Sequence, residues 1–361
     1  MMYTGLLNHY QSFFNLPKTA EVITLHEGQT PLIPAPRLAA LLAQETGIEG
    51  LRIYLKYDGL NPTGSFKDRG MTCAMTYAKH DGARFVLCAS TGNTSASAAA
   101  YAARADLETL IIIPKGKIAL GKLAQALLYG ATIVEIEGNF DQALNIVRAI
   151  GEQHADQVAV VNSINPHRIS GQRSAAFEVV DALGKAPDYL MIPVGNAGNI
   201  TAYWQGFKDY QAAGKTAALP KMMGYQAAGA APIVHNQPIE HPETLATAIR
   251  IGNPASWKLA VEARDASGGR IDAVSDEQII QAYQRLGQLE GVFCEPASAA
   301  SVAGLFKAAQ ARQIEAGQTV VCVLTGNGLK DPANGIKASV KQAKRVSLPP
   351  DAQTVAQYFG F

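Results

Sequence analysis

Eight short apolar runs alternate with stretches of helical periodicity along most of the chain, and this alternation restricts the fold more than any other feature. The runs are Leu51-Tyr54, Arg84-Ala89, Thr109-Ile113, Thr132-Glu135, Val158-Val161, Tyr189-Val194, Lys221-Gln226 and Thr319-Leu324. Between most of them lie Met71-Lys79, Ser95-Ala103, Leu120-Tyr129, Gln142-Gln153 and Gln172-Leu183, where apolar residues recur at helical spacing. Strands this apolar have no face to give to water. They predict an α/β fold of two domains with mostly parallel sheets covered by helices. A length of 361 residues suits two domains sharing an interface. Gly, Pro and Ser cluster at Ala212-Pro220, Asp265-Gly269 and Leu348-Asp351, which read as loops, and no period of a solenoid repeats.

Lys and Arg total 31 against 30 for Asp and Glu, so the formal charge of +1 creates no field suited to nucleic acid or an acidic membrane. Any anion must be bound locally. Cys73, Cys88, Cys294 and Cys322 are far apart, lack a Cys-x-x-Cys pair and read as buried reduced thiols. The N-terminal residues lack the basic and apolar regions of a signal peptide, and no apolar run reaches the roughly 18 residues of a membrane span. A soluble cytoplasmic protein is the expectation. The seven histidines show no metal-binding spacing.

One segment, Asn61-Pro-Thr-Gly-Ser-Phe-Lys-Asp-Arg-Gly70, carries the first chemical signal. Ser65 and Asp68 fit a capping pattern, which puts Lys67 in the first turn of a helix. The positive end of a helix dipole lowers an amine's pKa by less than one unit, about 0.3–1 kcal/mol. Partial burial and the nearby cation Arg69 would lower it further and favour a neutral amine or an imine. For one isolated lysine, a surface side chain opening a helix explains the segment as well.

A second signal is Gly195-Asn-Ala-Gly-Asn199, between the apolar run Tyr189-Val194 and a helix starting near Ile200. Strand, glycine turn and helix start let backbone N–H groups converge on a phosphate. Gly195 and Gly198 are expected to permit the tight turn, with Asn196 and Asn199 adding donors around Ala197. The chain has no G-x-G-x-x-G opening its first βα unit, and Asp209 stands where a P-loop before Gly214-Lys215-Thr216 needs its first glycine. Neither a dinucleotide nor an ATP site is indicated, although an ordinary βα turn would also fit these five residues.

Together the two segments resemble the β-family, or fold type II, of pyridoxal-phosphate enzymes, which includes threonine synthases, threonine dehydratases and cysteine synthases. The resemblance implies that Lys67 holds pyridoxal 5'-phosphate as a Schiff base and that Gly195, Asn196, Ala197, Gly198 and Asn199 cradle its phosphate. Ser90-Thr-Gly-Asn-Thr-Ser95 resembles the loop in which an asparagine, here Asn93, bonds the cofactor's 3'-oxygen while its neighbours, Ser90 and Thr91, hold the substrate carboxylate. Leu324-Thr-Gly-Asn-Gly328 resembles the segment whose hydroxyl, here Thr325, faces the pyridine nitrogen. A neutral hydroxyl there does not favour ring protonation, so the surrounding protein must direct the electrons.

Within that family, residues from about Glu27 to Pro332 most resemble the shorter bacterial threonine synthases. The lysine segment, Asn162-Ser-Ile-Asn-Pro-His-Arg168 and Ala248-Ile-Arg-Ile-Gly-Asn-Pro254 carry that likeness. It implies a carbon–oxygen lyase that turns O-phospho-L-homoserine and water into L-threonine and phosphate. Asn162, Ser163 and Arg168, with Thr94 as a further donor, would hold the substrate phosphate. An Arg fork with amide and hydroxyl donors suits a phosphate dianion and has no evident purpose for plain threonine. The rivals are a threonine or serine dehydratase and a non-catalytic vitamin B6 or phosphate binder.

The resemblance further suggests a homodimer. Residues 61–162 are expected to form a smaller mobile domain, with 1–60 and 163–361 making the larger, phosphate-binding one. Glu295, in Phe293-Cys-Glu-Pro-Ala-Ser-Ala-Ala300, resembles a stretch lining the cofactor and reads equally as a helix-dipole charge. Lys115 and Lys117 read as a solvated charge pair.

Overall fold

The computed structural model describes residues 2–116, 120–339 and 346–361. Lys117 lies outside the described residues. Each of the eight expected strands is present, with ends moved by up to three residues. Two more join them. β1 (Leu32–Pro34), β2 (Arg52–Tyr57), β7 (Tyr189–Pro193), β8 (Lys221–Ala227), β9 (Arg270–Val274) and β10 (Thr319–Leu324) form a six-stranded sheet in the order β1-β2-β10-β7-β8-β9. Only the β1 edge is antiparallel. β3 (Phe85–Ala89), β4 (Glu108–Pro114), β5 (Thr132–Ile136) and β6 (Val158–Val160) form a four-stranded parallel sheet in the order β5-β4-β3-β6.

The expected absence of a wet face holds in the central strands. In β10, Val320, Cys322 and Leu324 enter one core while Val321 and Val323 enter the core on the opposite face. Met191 of β7 joins the first of these cores, and Leu190 and Ile192 the second. In the smaller sheet, Val86 and Cys88 of β3 point to one side and Leu87 and Ala89 to the other. Alternating side chains buried on both faces are what parallel sheets between helices require. All four cysteines are free and buried.

Helices fill the remaining layers. Four of the five expected stretches fall within helices Lys67–His80, Asn93–Ala105, Leu120–Leu128 and Phe140–Gln153, to within one residue at the end of the third. The fifth is corrected. Gln172-Leu183 is not one helix, because a helix already runs over Pro166–Gln172, started by Pro166 and by an Asn165 side chain that accepts from the His167 N–H. After a turn at Arg173, a second helix covers Ser174–Leu183. In consequence Arg168 sits on a helix packed against the one carrying Lys67. Gly70 and Gly171 mark the crossing: a Cβ on Gly171 would lie 2.0 Å from the Arg69 carbonyl oxygen, and one on Gly70 would lie 2.6 Å from that of Arg168.

Candidate active site

Short backbone ladders bring three distant segments together at the C-terminal end of β10, the end where open α/β sheets place their ligands. Phe66 N–H donates to the Thr325 carbonyl at 2.9 Å, and Asn327 N–H donates to that of Gly64 at 2.9 Å. Glu295 N–H donates to the Gly326 carbonyl, also at 2.9 Å. Lys67, Glu295 and Thr325 are thereby neighbours although more than 200 residues separate the first two.

Lys67 is the first residue of helix Lys67–His80, as its motif predicts, but the cap differs from the expected one. The Asp68 carboxylate turns away and accepts from the Thr63 N–H at 2.7 Å, the Thr63 hydroxyl at 2.6 Å and the Ser97 hydroxyl at 2.6 Å. Asp68 thus ties the lysine segment to helix Asn93–Ala105. The Lys67 amine is held well below the ordinary lysine range, first by burial and then by the Arg168 charge, against the opposing pull of Glu295. Arg69 is not the responsible cation. Its guanidinium is neutralised by Asp58 at 2.9 Å and Glu178 at 2.6 Å in a buried cluster of its own.

The loop after β3 delivers Ser90, Thr91, Asn93 and Thr94. Its turn is self-bonded: Gly92 N–H donates to Ser90 Oγ at 3.2 Å, and the Ser95 hydroxyl donates to the Gly92 carbonyl at 2.8 Å. Asn93 Nδ2 donates to both oxygens of Glu295 at 3.2 and 3.1 Å, while its buried Oδ1 has no partner. Thr325 Oγ1 lies 3.0 Å from Ser298 Oγ and donates to Glu295 at 3.4 Å.

The glycine loop after β7 has the expected strand-to-helix position, with helix Gly198–Ala212 following it. Its turn is made differently. Ala197 takes the left-handed conformation at φ 64°, whereas neither Gly195 nor Gly198 has positive φ. Gly195 is there for space, since a Cβ would come within 3.0 Å of Ile249 Cα. Asn196 is occupied structurally, its Oδ1 accepting from Ala255 N–H at 2.8 Å. Asn199 Nδ2 is buried without a partner, a donor that an anion in the cradle would satisfy.

Arg168 is 1% exposed, and one of its nitrogens, Nη1, donates to the Val161 carbonyl at 3.1 Å. Nε and Nη2 are buried and unpartnered. Burial pulls its pKa down to about 10, which leaves it charged at neutral pH. Two idle donors on a buried cation constitute an incomplete anion site. Ser163 is half-buried beside the same helix start. Asn162 is engaged by backbone: Nδ2 donates to the Ala89 carbonyl at 2.9 Å and Oδ1 accepts the Ala89 N–H at 3.0 Å. It clamps the end of β3 with both arms, a contact that uses one of its two Nδ2 N–H groups.

Lys115 pairs with Glu137 at 3.3 Å in an exposed ion pair away from these groups, as a solvated charge would. The residue that sequence reasoning left without a task is Glu295. Its signal was the Cys-Glu-Pro run opening a helix, which gives no hint of its partners. Among the described residues no cluster of potential metal ligands occurs, and no helix is long and apolar enough to cross a membrane.

A primary amine of lowered pKa, a buried guanidinium with free donors and a strand-to-helix glycine loop, on parallel α/β sheets, are features suited to a phosphorylated aldehyde cofactor. A sequence model of the pyridoxal-phosphate-dependent enzyme family matches residues 23–326. The chain is 58% identical to threonine synthase of Synechocystis sp. over 357 residues, 99% of this chain and 91% of that one. It is 46% identical to threonine synthase of Methanocaldococcus jannaschii, over 93% of this chain and 83% of that one. Its fold superposes with TM-score 0.73 on threonine deaminase isoform 2 of Solanum lycopersicum, at 20% identity over 94% of this chain and 90% of the other. With maize serine racemase the score is 0.71, at 18% identity over 87% and 92%. The chain belongs to the threonine synthase branch of the pyridoxal-phosphate-dependent enzymes.

Proposed function

We propose that the chain is a carbon–oxygen lyase that makes L-threonine and phosphate from O-phospho-L-homoserine and water. The observation that carries this reading is Arg168, a buried guanidinium with two donors free and its charge felt at Lys67. A dehydratase acting on plain threonine leaves those donors unsatisfied. Pyridoxal 5'-phosphate, when bound, supplies an electrophilic carbon for the substrate amine and an electron sink for Cα.

The remaining work belongs to the protein. Gly195, Asn196, Ala197, Gly198 and Asn199 would take the cofactor phosphate through backbone N–H groups and the Asn199 amide, while Asn93 and Thr325 would serve the ring's 3'-oxygen and nitrogen. Ser90 and Thr91, with the unpaired N–H groups opening helix Asn93–Ala105, hold the substrate carboxylate. Arg168 holds the γ-phosphate with Ser163 and Thr94, and Asn162 acts by fixing the Ser90 loop. Lys67, its pKa lowered by burial and by Arg168, removes the proton from Cα and serves protons at Cβ. Water must stay out until phosphate has left Cγ. Closure of residues 61–162 onto the rest provides that exclusion, and an unchanged arrangement with a substrate analogue would count against it. The chain works as a cytoplasmic homodimer in this reading.

Two assays decide. Phosphate and threonine formed from O-phospho-L-homoserine in equal amounts support the synthase. Formation of 2-oxobutanoate from threonine, with phosphohomoserine inert, would replace it with a dehydratase. Borohydride reduction should fix the cofactor on Lys67.

A further inference from the structure

Glu295 is 1% exposed and has no task in the chemistry above. It stands at the N-cap of helix Pro296–Gln310, yet its side chain makes no capping bond, so the helix dipole alone does not explain it. No cation among the described residues forms an ion pair with it. A carboxylate buried without a cation needs hydrogen-bond donors, and Glu295 finds them on side chains the proposed chemistry uses. Asn93 Nδ2 donates to both oxygens, and the Thr325 hydroxyl anchors the carboxylate at 3.4 Å. The fit is close. A Cβ on Gly326 would lie 2.4 Å from Glu295 Oε1, so a larger residue there would displace the carboxylate from this strand end.

Both Glu295 oxygens accept from the NH2 end of the Asn93 amide, and the oxygen end turned toward them would set acceptor against acceptor. The unpartnered Asn93 Oδ1 shows that nothing else among the described groups sets this orientation. The contact also spans the two sheets, because Asn93 follows β3 of the small sheet while Glu295 is bonded to the segment after β10 of the large one.

We infer that Glu295 is a positioning residue of the cofactor pocket, whose carboxylate fixes the amide of Asn93 with its NH2 available to the cofactor's 3'-oxygen. The inference rests on the placement of Asn93 proposed above and deepens it. Glu295→Gln keeps the volume but presents an NH2 of its own, which forces one of the two amides to turn. Glu295→Ala removes the acceptor.

The test titrates the apo forms of the native chain, N93A, E295Q, E295A and the N93A/E295A double variant with pyridoxal 5'-phosphate. It follows the visible band and the borohydride-fixed label on Lys67, with apo-protein melting as a control of folding. Loss of a hydrogen bond to a charged group corresponds to about ten- to hundredfold, so E295Q and E295A should each weaken binding by that order and shift the band. The double variant should bind no more weakly than N93A, since Glu295 acts through Asn93. Independent, multiplying losses in the double variant would overturn the inference, as would an unshifted band in E295Q. If N93A itself changes neither band nor affinity, the placement of Asn93 is at fault and the inference falls with it.

Discussion

At the scale of single residues the site depends on side chains with unfilled bonding capacity, and Arg168 is the clearest. Two buried guanidinium nitrogens without partners point to an anion held by about two charge-assisted hydrogen bonds, each worth roughly 1.5–3 kcal/mol. Arg168→Ala should therefore lower kcat/KM for phosphohomoserine on the order of a hundred- to ten-thousandfold, measured by phosphate release. Arg168→Lys should not restore it, because an ammonium lacks the planar fork. A variant with unchanged kcat/KM would remove the argument for a phosphorylated substrate. The helix start at Lys67 and the strand-to-loop turns at the glycine loop and Thr325 are legible in the sequence because local pattern places them. The Asn162 clamp is not. An amide's partner depends on what the fold sets beside it, and here that is the Ala89 backbone. Arg69 misleads for the same reason: two positions from Lys67 along the chain, its charge is cancelled by Asp58 and Glu178.

Among the elements, the crossing of helices Lys67–His80 and Pro166–Gln172 sets the relation between amine and guanidinium. Gly70 and Gly171 allow backbone to meet backbone there, and any side chain at Gly171 would overlap the Arg69 carbonyl. Gly171→Ala must push the helices apart. Overpacking of this kind costs about 1–3 kcal/mol, so a lower melting temperature is expected together with a kcat/KM loss larger than stability alone accounts for. A variant that melts lower yet keeps full activity would show that the spacing is not critical. Neither glycine announces this contact in the sequence, where each stands just before a run of helical periodicity, Met71-Lys79 or Gln172-Leu183. The missed strands have simpler causes. β1 is three residues long, ends in Pro34 and lies at the antiparallel edge, while Arg270 and Asp272 break the apolar run of β9. The central strands found in advance, such as β7 and β10, are buried along their whole length, whereas the largely exposed β5 was found through its β-branched residues.

The whole molecule is tied together by a buried charge cluster that no motif announces. Glu178, on helix Ser174–Leu183, receives Arg69 through two nitrogens at 2.7 and 2.6 Å and Lys56 of β2 at 2.6 Å. Asp58 balances the second cation and also accepts from Thr30 at 2.8 Å in the N-terminal arm. Four formal charges from widely separated segments thus cancel inside the protein, next to the helix that carries Lys67. Burial alone would raise the Glu178 carboxyl, but Arg69 and then Lys56 bring it down to about 2. A folded-state value below the unfolded one gives stability that is present above the ordinary carboxylate range and lost as pH falls through about 2. A depression of this size corresponds to roughly 3 kcal/mol at neutral pH. Glu178→Gln leaves one buried cation uncompensated and should cost about 3–5 kcal/mol at pH 7. As pH drops below the unfolded carboxylate range the native protein should lose stability faster than the variant, so their urea midpoints converge toward the acid limit. Midpoints that stay equally far apart down to the lowest pH at which both fold would mean that Glu178 holds the chain by packing and not by its charge.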